Sequence, residues 1–374
     1  MIQSQWQEFL VLRRQFLGAS LIALFAFISI PVFAQTDRYY SASVPVASQS
    51  ARERERAAGV GLREVLVRIS GVEDLDQYPD AVSALSRASS HLEQYSYERV
   101  RGATGRMTEH LAMTFSPAAV ERILRSAGLP YWPVQRPDAL VWLVEDDITE
   151  GKRLVNDTGS PILQGLFSAS QKRGLPLLLP LLDLEDQLAI SAEQVWNLDQ
   201  ETVLAASERY NADTVLIGRY SRTSTGQWWT SWQFFHRGDG RNFDLRGEDG
   251  VVVGQQALAP LANYLAGLYA LKANPESASR LYVQVSPVND FGNYRKTLDY
   301  LHKLPVVTSY SLLAVTGESL LFSFELNGTF DQLKNALSLD GKMRPQYSGD
   351  PNAPWLALPG GSADQPWRLE WIGR

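Results

Sequence analysis

The stretch that decides the fold is ALVWLV, residues 139–144, an unbroken run of apolar side chains. A strand that is apolar on both faces is typical of a parallel sheet with helices on both sides. Apolar runs at 139–144, 175–182 and 213–220 predict strands, and the segments 160–173 and 198–210 between them predict helices. This order, β-α-β-α-β, predicts a parallel sheet in the middle of the chain.

The pattern of the same block becomes antiparallel after Gly226. In an extended strand at 228–236, one face carries Trp228, Thr230, Trp232, Phe234 and His236. Residues 241–245 are the predicted hairpin partner of that strand. A helix at 255–271 closes the block. We therefore predict a central α/β domain at 135–273, with a mixed sheet that begins parallel.

The residues before this block predict an α+β domain at 35–134. A strand at 39–46 precedes a helix that begins at Ser48 or Ser50, and the remaining elements follow in the order helix, strand, strand, helix. Their predicted ranges are 79–89, 92–100, 107–115 and 117–127. The unit is β-α-α-β-β-α.

The residues after the central block predict a second α+β domain at 278–374. Its predicted elements are strand 280–288, helix 294–303, strands 306–315 and 319–326, helix 330–337 and strand 367–372. A Pro- and Gly-rich insertion at 341–366 precedes the last strand. The order β-α-β-β-α-β is that of a ferredoxin-like split β-α-β unit.

The first 34 residues predict a signal peptide. Arg13 and Arg14 precede an uncharged apolar run at 16–33, and small residues at Val32 and Ala34 suit a signal peptidase. We expect cleavage between Ala34 and Gln35 and a periplasmic protein. The alternative is an uncleaved anchor in the inner membrane, formed by residues 16–33. The paired arginines leave general secretory and twin-arginine export both open.

Composition limits the chemistry of the exported chain. The chain has no cysteine, which excludes disulfides, thiolate metal sites and a lipoprotein anchor. The full sequence has a net charge of −6, which argues against nucleic acid as a partner. We expect membrane contact only through an uncleaved anchor or through a bound partner.

Two segments carry a resemblance to a known family. GLREVLVRISG at 61–71 and RPDALVWL at 136–143 resemble secreted proteobacterial proteins of domain-of-unknown-function family 2066. YNADTVLIGR at 210–219 also resembles the helix-to-strand turn of envelope modules such as the TolB amino-terminal domain and CsgG. The resemblance implies an envelope location and a protein-binding module, and it implies no catalytic residues.

Acidic side chains follow two of the predicted parallel strands. If these strands are neighbours, both acidic groups lie at the carboxyl edge of the sheet, where α/β sheets bind ligands. Such an edge suits a divalent cation or a basic peptide, although the same residues also suit the capping of the following helices. The residues concerned are Glu145, Asp146, Asp147, Asp183, Glu185 and Asp186.

The strand at 228–236 carries aromatic rings on both faces. Trp228, Trp232 and Phe234 suit a buried core. On the other face, Trp229 and Phe235 are candidates for a docking patch, because aromatic residues concentrate at interfaces.

Catalytic motifs are missing from the sequence. The four histidines show no metal-ligand spacing, and there is neither a phosphate loop nor a serine nucleophile elbow. We expect no cofactor. The interpretation is a non-enzymatic accessory or protein-binding module of cell-envelope assembly, whose envelope partner the sequence does not identify. The alternatives are a metal-assisted hydrolase that uses the acidic edge and a protein that binds glycan or lipid.

Overall fold

The computed structural model describes residues 38–101, 105–272, 280–346 and 361–373. It is a mixed α/β structure with three separate sheets, which confirms the predicted fold class. Residues from Tyr39 onward form one compact unit. The predicted signal peptide at 1–34 lies outside the described residues. Within the described ranges, no helix is both long and apolar enough to cross a membrane.

The N-terminal lobe, residues 38–134, has the predicted β-α-α-β-β-α order. Its elements are β1 (Ser41–Pro45), α1 (Ala51–Ser70), α2 (Pro79–Leu85), a 3-10 turn (Ala88–His91), β2 (Leu92–Arg101), β3 (Met107–Phe115) and α3 (Pro117–Ala127). The sheet is antiparallel with the order β1-β3-β2. Ser50 caps the first turn of α1, and Gly71 ends the helix in the left-handed conformation with φ +73°.

The central lobe, residues 135–272, contains a six-stranded sheet. Its elements are β4 (Ala139–Asp147), β5 (Gly151–Leu154), α4 (Pro161–Arg173), β6 (Leu177–Leu178), α5 (Leu184–Ala189), α6 (Ala192–Trp196), α7 (Gln200–Ser207), β7 (Thr214–Arg222), β8 (Trp228–His236), β9 (Asp239–Gly247) and α8 (Gly250–Tyr269). The strand order is β5-β4-β7-β8-β9, and β6 also pairs with β4. β4 is parallel to β6 and β7, whereas β7, β8 and β9 are antiparallel.

The predicted strand at 175–182 is shorter than its apolar run. Only Leu177–Leu178 pairs with β4, and Pro176 and Pro180 bracket that pair. Proline cannot donate to a strand ladder, so the strand ends at each proline. The rest of this edge of β4 pairs with the unpredicted hairpin strand β5.

Helices cover both faces of the central sheet. α4 and α8 pack over one face and cross at Gly165 and Gly254. A Cβ at Gly165 would lie 2.1 Å from the carbonyl oxygen of Val251, so the two helices are in backbone contact there. The segment with α5, α6 and α7 covers part of the other face, and its core includes Val203, Ala206 and Phe235.

The C-terminal lobe, residues 280–373, contains the predicted split β-α-β unit with one additional strand. Its elements are β10 (Arg280–Ser286), α9 (Phe291–His302), β11 (Val307–Thr316), β12 (Ser319–Leu326), α10 (Phe330–Asp340), β13 (Met343–Pro345) and β14 (Trp367–Trp371). The sheet order is β11-β12-β10-β14-β13. β14 runs parallel to β10. β13 lies within the predicted insertion and pairs antiparallel with the other side of β14.

A cluster of buried arginines joins the N-terminal lobe to the central lobe. Arg136 donates to five backbone carbonyls, including those of Arg68 at 2.7 Å and Arg173 at 2.6 Å. These two carbonyls belong to the last turns of α1 and α4, where helix carbonyls lack partners within the helix. Arg68 in turn donates to the carbonyls of Tyr39 and Ser41 at the start of β1.

Candidate functional site

A cleft of about 870 Å³ separates the central lobe from the C-terminal lobe. Its central wall is formed by the residues that precede β4 and β7 and by the turn between β8 and β9. Its other wall is the end of α10 and the turn that follows it. The volume lies within the roughly 300–1,000 Å³ typical of ligand pockets. The cleft therefore lies at the amino ends of the parallel strands, at the opposite edge from the predicted acidic site.

The end of α10 forms the second wall of the cleft. Thr329 and Gln332 make a capping box that begins the helix. The Gln332 amide nitrogen also donates to the Ala270 carbonyl at 2.7 Å, and the Asn335 amide nitrogen donates to the Leu268 carbonyl at 3.2 Å. Leu339 packs against the central core. These contacts hold α10 against the end of α8, so that its C-terminal turn faces the cleft.

Arg237 connects the two walls. It lies in the two-residue turn between β8 and β9, with φ +50° at Arg237 and +93° at Gly238, as hairpin turns of this length require. Its guanidinium donates to the carbonyl of Ser338 at 2.9 Å and also contacts the Ser338 hydroxyl. It forms an ion pair with Asp213 at 3.5 Å. Arg237 thus fixes the end of α10 to the sheet.

The electrostatics of the cleft favour positive charge. α7 and its following 3-10 turn end at Asn211, and α10 ends at Gly341, both in the left-handed conformation. Helix C-termini carry partial negative charge. The exposed carboxylates of Glu208 and Asp340 lie beside these helix ends, and Arg344 lines the cleft as an exposed cation. Asp340 also accepts from the Tyr300 hydroxyl at 2.8 Å. The charged residues that line the cleft are Asp138, Glu208, Asp213 and Asp340 on the acidic side and Arg136, Arg237 and Arg344 on the basic side.

His236 lies in the sheet beside this cleft and is buried. Its ring nitrogens are 2.8 Å from the Thr214 hydroxyl and 2.8 Å from the Tyr269 hydroxyl. Burial, followed by the nearby charge of Arg237, lowers the pKa of His236 to about 4. The imidazole is therefore neutral at pH 7, and at 2 % exposure it cannot reach a ligand as a base.

The first predicted acidic group lies on the β4–β5 hairpin. Glu145 pairs with Arg153 across the hairpin. Asp147 accepts from the backbone amides of Thr149 at 2.7 Å and Glu150 at 3.0 Å, which lowers the pKa of Asp147. Asp146 is half-buried between them. In this arrangement the carboxylates stabilise the turn.

The second predicted acidic group surrounds Arg209. The guanidinium lies 2.7 Å from Asp183, 2.8 Å from Asp186 and 3.4 Å from Glu185. Asp183 caps α5 by accepting from the Asp186 amide, and its bond with Arg209 lowers its pKa to about 2. Asp186 is fully buried and also accepts from the Tyr210 hydroxyl at 2.5 Å.

The two acidic groups therefore have separate partners. Among the described residues, no three histidine, aspartate or glutamate side chains are grouped so as to hold a metal ion. The geometry of both groups is that of turn and helix capping, which was the alternative interpretation of these side chains.

The two candidate aromatic residues have different surroundings. Trp229 is 45 % exposed, and the guanidinium of Arg246 stacks over its ring at 3.9 Å. Phe235 is only 6 % exposed because α7 covers that end of the strand. A docking patch that combines both rings is therefore not present, and Trp229 alone lies at the surface. Trp228, Trp232 and Phe234 are buried, as predicted.

Sequence reasoning missed the residues that form the cleft. Arg237 and Gly238 between two alternating strands are a hairpin-turn signal, but that signal does not show that Arg237 reaches another lobe. Ser338 and Asp340 directly follow the predicted helix at 330–337, and no sequence motif marks them as part of a site. Their function in the cleft depends on how the lobes pack, which local pattern does not encode.

Comparison with known families gives one match. Residues 34–133 match a domain of unknown function (DUF8605), which spans β1 to α3 of the N-terminal lobe. No curated protein matches the chain. The match gives no support to the resemblance to family 2066 or to the TolB and CsgG modules, and that resemblance stays a prediction. Residues 34–133 are similar to a domain of unknown function, which carries no activity to the chain.

Proposed function

We propose that this protein is a non-enzymatic accessory protein of the bacterial cell envelope that binds a basic segment of another envelope protein between its central and C-terminal lobes. The observation that carries the proposal is the polar cleft of about 870 Å³. It is large enough for a short peptide segment. Its polar walls suit a peptide better than they suit a purely apolar ligand.

The charges of the cleft support a basic ligand. Glu208 and Asp340 are exposed beside two helix C-termini, and each of these four features favours a cation. Arg237 is already bound to Ser338 and Asp213, and Arg136 to backbone carbonyls, so both compete little for Glu208 and Asp340. Lysine or arginine side chains of a partner would complete the site.

The envelope location rests on the N-terminal sequence. Paired arginines, an apolar run and a small-residue cleavage site at Ala34 support export of the chain that begins at Gln35. If the apolar run is retained, residues 16–33 anchor the same protein in the inner membrane. In both cases the cleft meets the same set of envelope proteins.

Photo-crosslinking in intact cells tests the proposal. We would place a benzophenone amino acid at Gln200, which is exposed and lines the cleft, and at Gln94, an exposed position on β2, as the matched control. We expect Gln200 to give a reproducible adduct with one envelope protein that Gln94 does not give.

A charge reversal shows whether the cleft itself is responsible. Glu208→Lys in the Gln200 probe strain should reduce the adduct at least about fivefold, because it places a like charge against the basic segment. Adducts that are identical at both probe positions, or that persist unchanged with Glu208→Lys, would contradict the proposal.

A further inference from the structure

β11 is an edge strand that has no charged residue. It runs for ten residues, VTSYSLLAVT, from Val307 to Thr316, and among the residues that the structure describes it pairs only with β12. Eight of these residues are exposed, and the other two are half-buried. An edge strand presents unpaired backbone groups that favour pairing with another strand.

The other sheet edges among the described residues carry features that oppose such pairing. β2 includes Glu93, Glu98, Arg99 and Arg101, and β9 alternates between acidic and basic residues. β1 has five residues and ends at Pro45, β5 has four residues, and β13 has three and ends at Pro345. Charge, short length and proline all discourage edge-to-edge association. β11 is long and neutral, which sets it apart from these edges.

The exposed side chains of β11 are apolar towards one end. Leu312 is 37 % exposed, Leu313 50 % and Val315 63 %. The register with β12 shifts between Leu312 and Ala314, so that Leu313 is an additional, bulged residue. Phe291, the first residue of α9, is 74 % exposed and follows the end of β10 that is level with Val315. This end of the sheet thus exposes a set of apolar side chains.

We propose that β11 pairs antiparallel with β11 of a second copy of this chain, which joins the two C-terminal sheets across a two-fold axis. The charges of the edges identify the occupant. Pairing β11 with β2 or β9 of another copy would bury charged side chains against a neutral strand, whereas pairing it with itself brings no charges together.

Self-pairing also covers the exposed apolar residues. In an isologous contact, each patch meets its own copy, so Leu312, Leu313 and Val315 of one chain lie against the same set in the other. The contact is independent of the cleft, so either proposal can fail without the other.

Light scattering coupled to size exclusion tests this contact. The mature chain from Gln35 should elute as a dimer at micromolar concentration, and Leu313→Lys should raise its dissociation constant at least about tenfold. Val100→Lys is the matched control, because Val100 is 37 % exposed on β2, the equivalent strand of the N-terminal sheet. It should leave the dissociation constant unchanged.

Hydrogen exchange provides a second measurement that does not depend on a variant. Amides of β11 should gain protection as the protein concentration rises, whereas those of β2 should not. A mature chain that is monomeric at 100 µM, or β11 amides that exchange at a rate independent of concentration, would overturn the proposal. An equal effect of Leu313→Lys and Val100→Lys would also overturn it.

Discussion

The N-terminal and C-terminal lobes contain the same split β-α-β core and complete it differently. In both, the first strand lies beside the third, and the second strand forms the outer edge, as β1-β3-β2 and β10-β12-β11. In the C-terminal lobe, β14 and β13 extend the sheet beyond the first strand. In the N-terminal lobe, no described strand occupies that position, and carbonyls at the start of β1 accept from Arg68 instead.

This difference makes one lobe depend on its neighbour. Arg68 also donates to the Gln171 carbonyl in α4, and Arg136 links the ends of α1 and α4. The edge of the N-terminal sheet is therefore completed by contacts with the central lobe. The C-terminal lobe completes its sheet with its own strands and contacts the central lobe through α10.

Breaking the arginine junction should have the largest effect. Arg136→Ala leaves five backbone carbonyls without their donor, and hydrogen bonds to charged groups contribute more than neutral ones, so we expect a loss of about 4 kcal/mol in the free energy of unfolding. Urea denaturation measures the loss. The exposed Arg122→Ala should cost less than about 0.5 kcal/mol.

A lysine substitution separates charge from geometry at the same position. Arg136→Lys keeps the positive charge, but an ammonium group cannot reach all the carbonyls that surround the planar guanidinium. It should therefore be nearly as unstable as Arg136→Ala. Full stability of Arg136→Lys would show that charge alone holds the junction.

The C-terminal lobe should respond within its own sheet. Leu369 is fully buried in β14, and Leu369→Ala should cost about 3 kcal/mol by leaving a cavity. The adjacent Glu370→Ala, which is exposed, is the matched control. Because this sheet is completed by its own strands, hydrogen exchange should increase in residues 280–346 and 361–373 and not in the N-terminal lobe. Spread of the increase to β1 would contradict the comparison.

Most of the fold followed from local pattern. The face pattern of β8, the unbroken apolar run of β4 and the predicted helix at 117–127 each agree with the structure. The predicted starts of two helices were too late. The helices predicted from 255 and 294 begin at Gly250 and Phe291, because Asp249 and Asp290 cap them there. Pro176 and Pro180 limit β6 to two residues, against an apolar run of eight.

The candidate site was much less predictable. The acidic residues were expected to share one edge, but β5 occupies the carboxyl half of β4 and Arg209 gathers Asp183, Glu185 and Asp186 around itself. The cleft depends on contacts between residues about a hundred positions apart, such as Arg237 and Ser338. No periodicity or turn signal reports such contacts.

Acid should destabilise the central lobe through His236 while it leaves the charge of Arg136 unchanged. The pKa of His236 is lowered from 6.5 to about 4, so the unfolded chain binds a proton before the folded chain does. This contribution is complete above pH 6.5 and is lost as the pH falls towards 4, by about 3 kcal/mol in total. The Arg136 junction keeps its charge throughout, because even its lowered pKa of about 9 lies above this range.

Urea denaturation between pH 7 and 4.5 measures this loss. His236→Gln should be less stable at pH 7 but should show a shallower dependence of the free energy of unfolding on pH. His91 of the N-terminal lobe, whose pKa is lowered by burial and then by Arg87 and Arg122, is the matched position. An equal change of slope for His91→Gln and His236→Gln would contradict the assignment to the central lobe.

The smallest expected effect concerns the link between the central sheet and α10. Arg237 is partly exposed, and its bonds to Ser338 and Asp213 should contribute only about 1 kcal/mol to stability. Arg237→Ala should nevertheless change the cleft, because these bonds fix the end of α10 to the β8–β9 turn. We expect faster hydrogen exchange at residues 335–341 with little change in the urea midpoint.

The exposed Arg241→Ala on β9 is the control, and it should leave both measurements unchanged. Equal exchange in both variants would show that Gln332, Asn335 and Leu339 hold α10 without Arg237, so that the C-terminal junction, like the N-terminal one, is fixed by buried contacts.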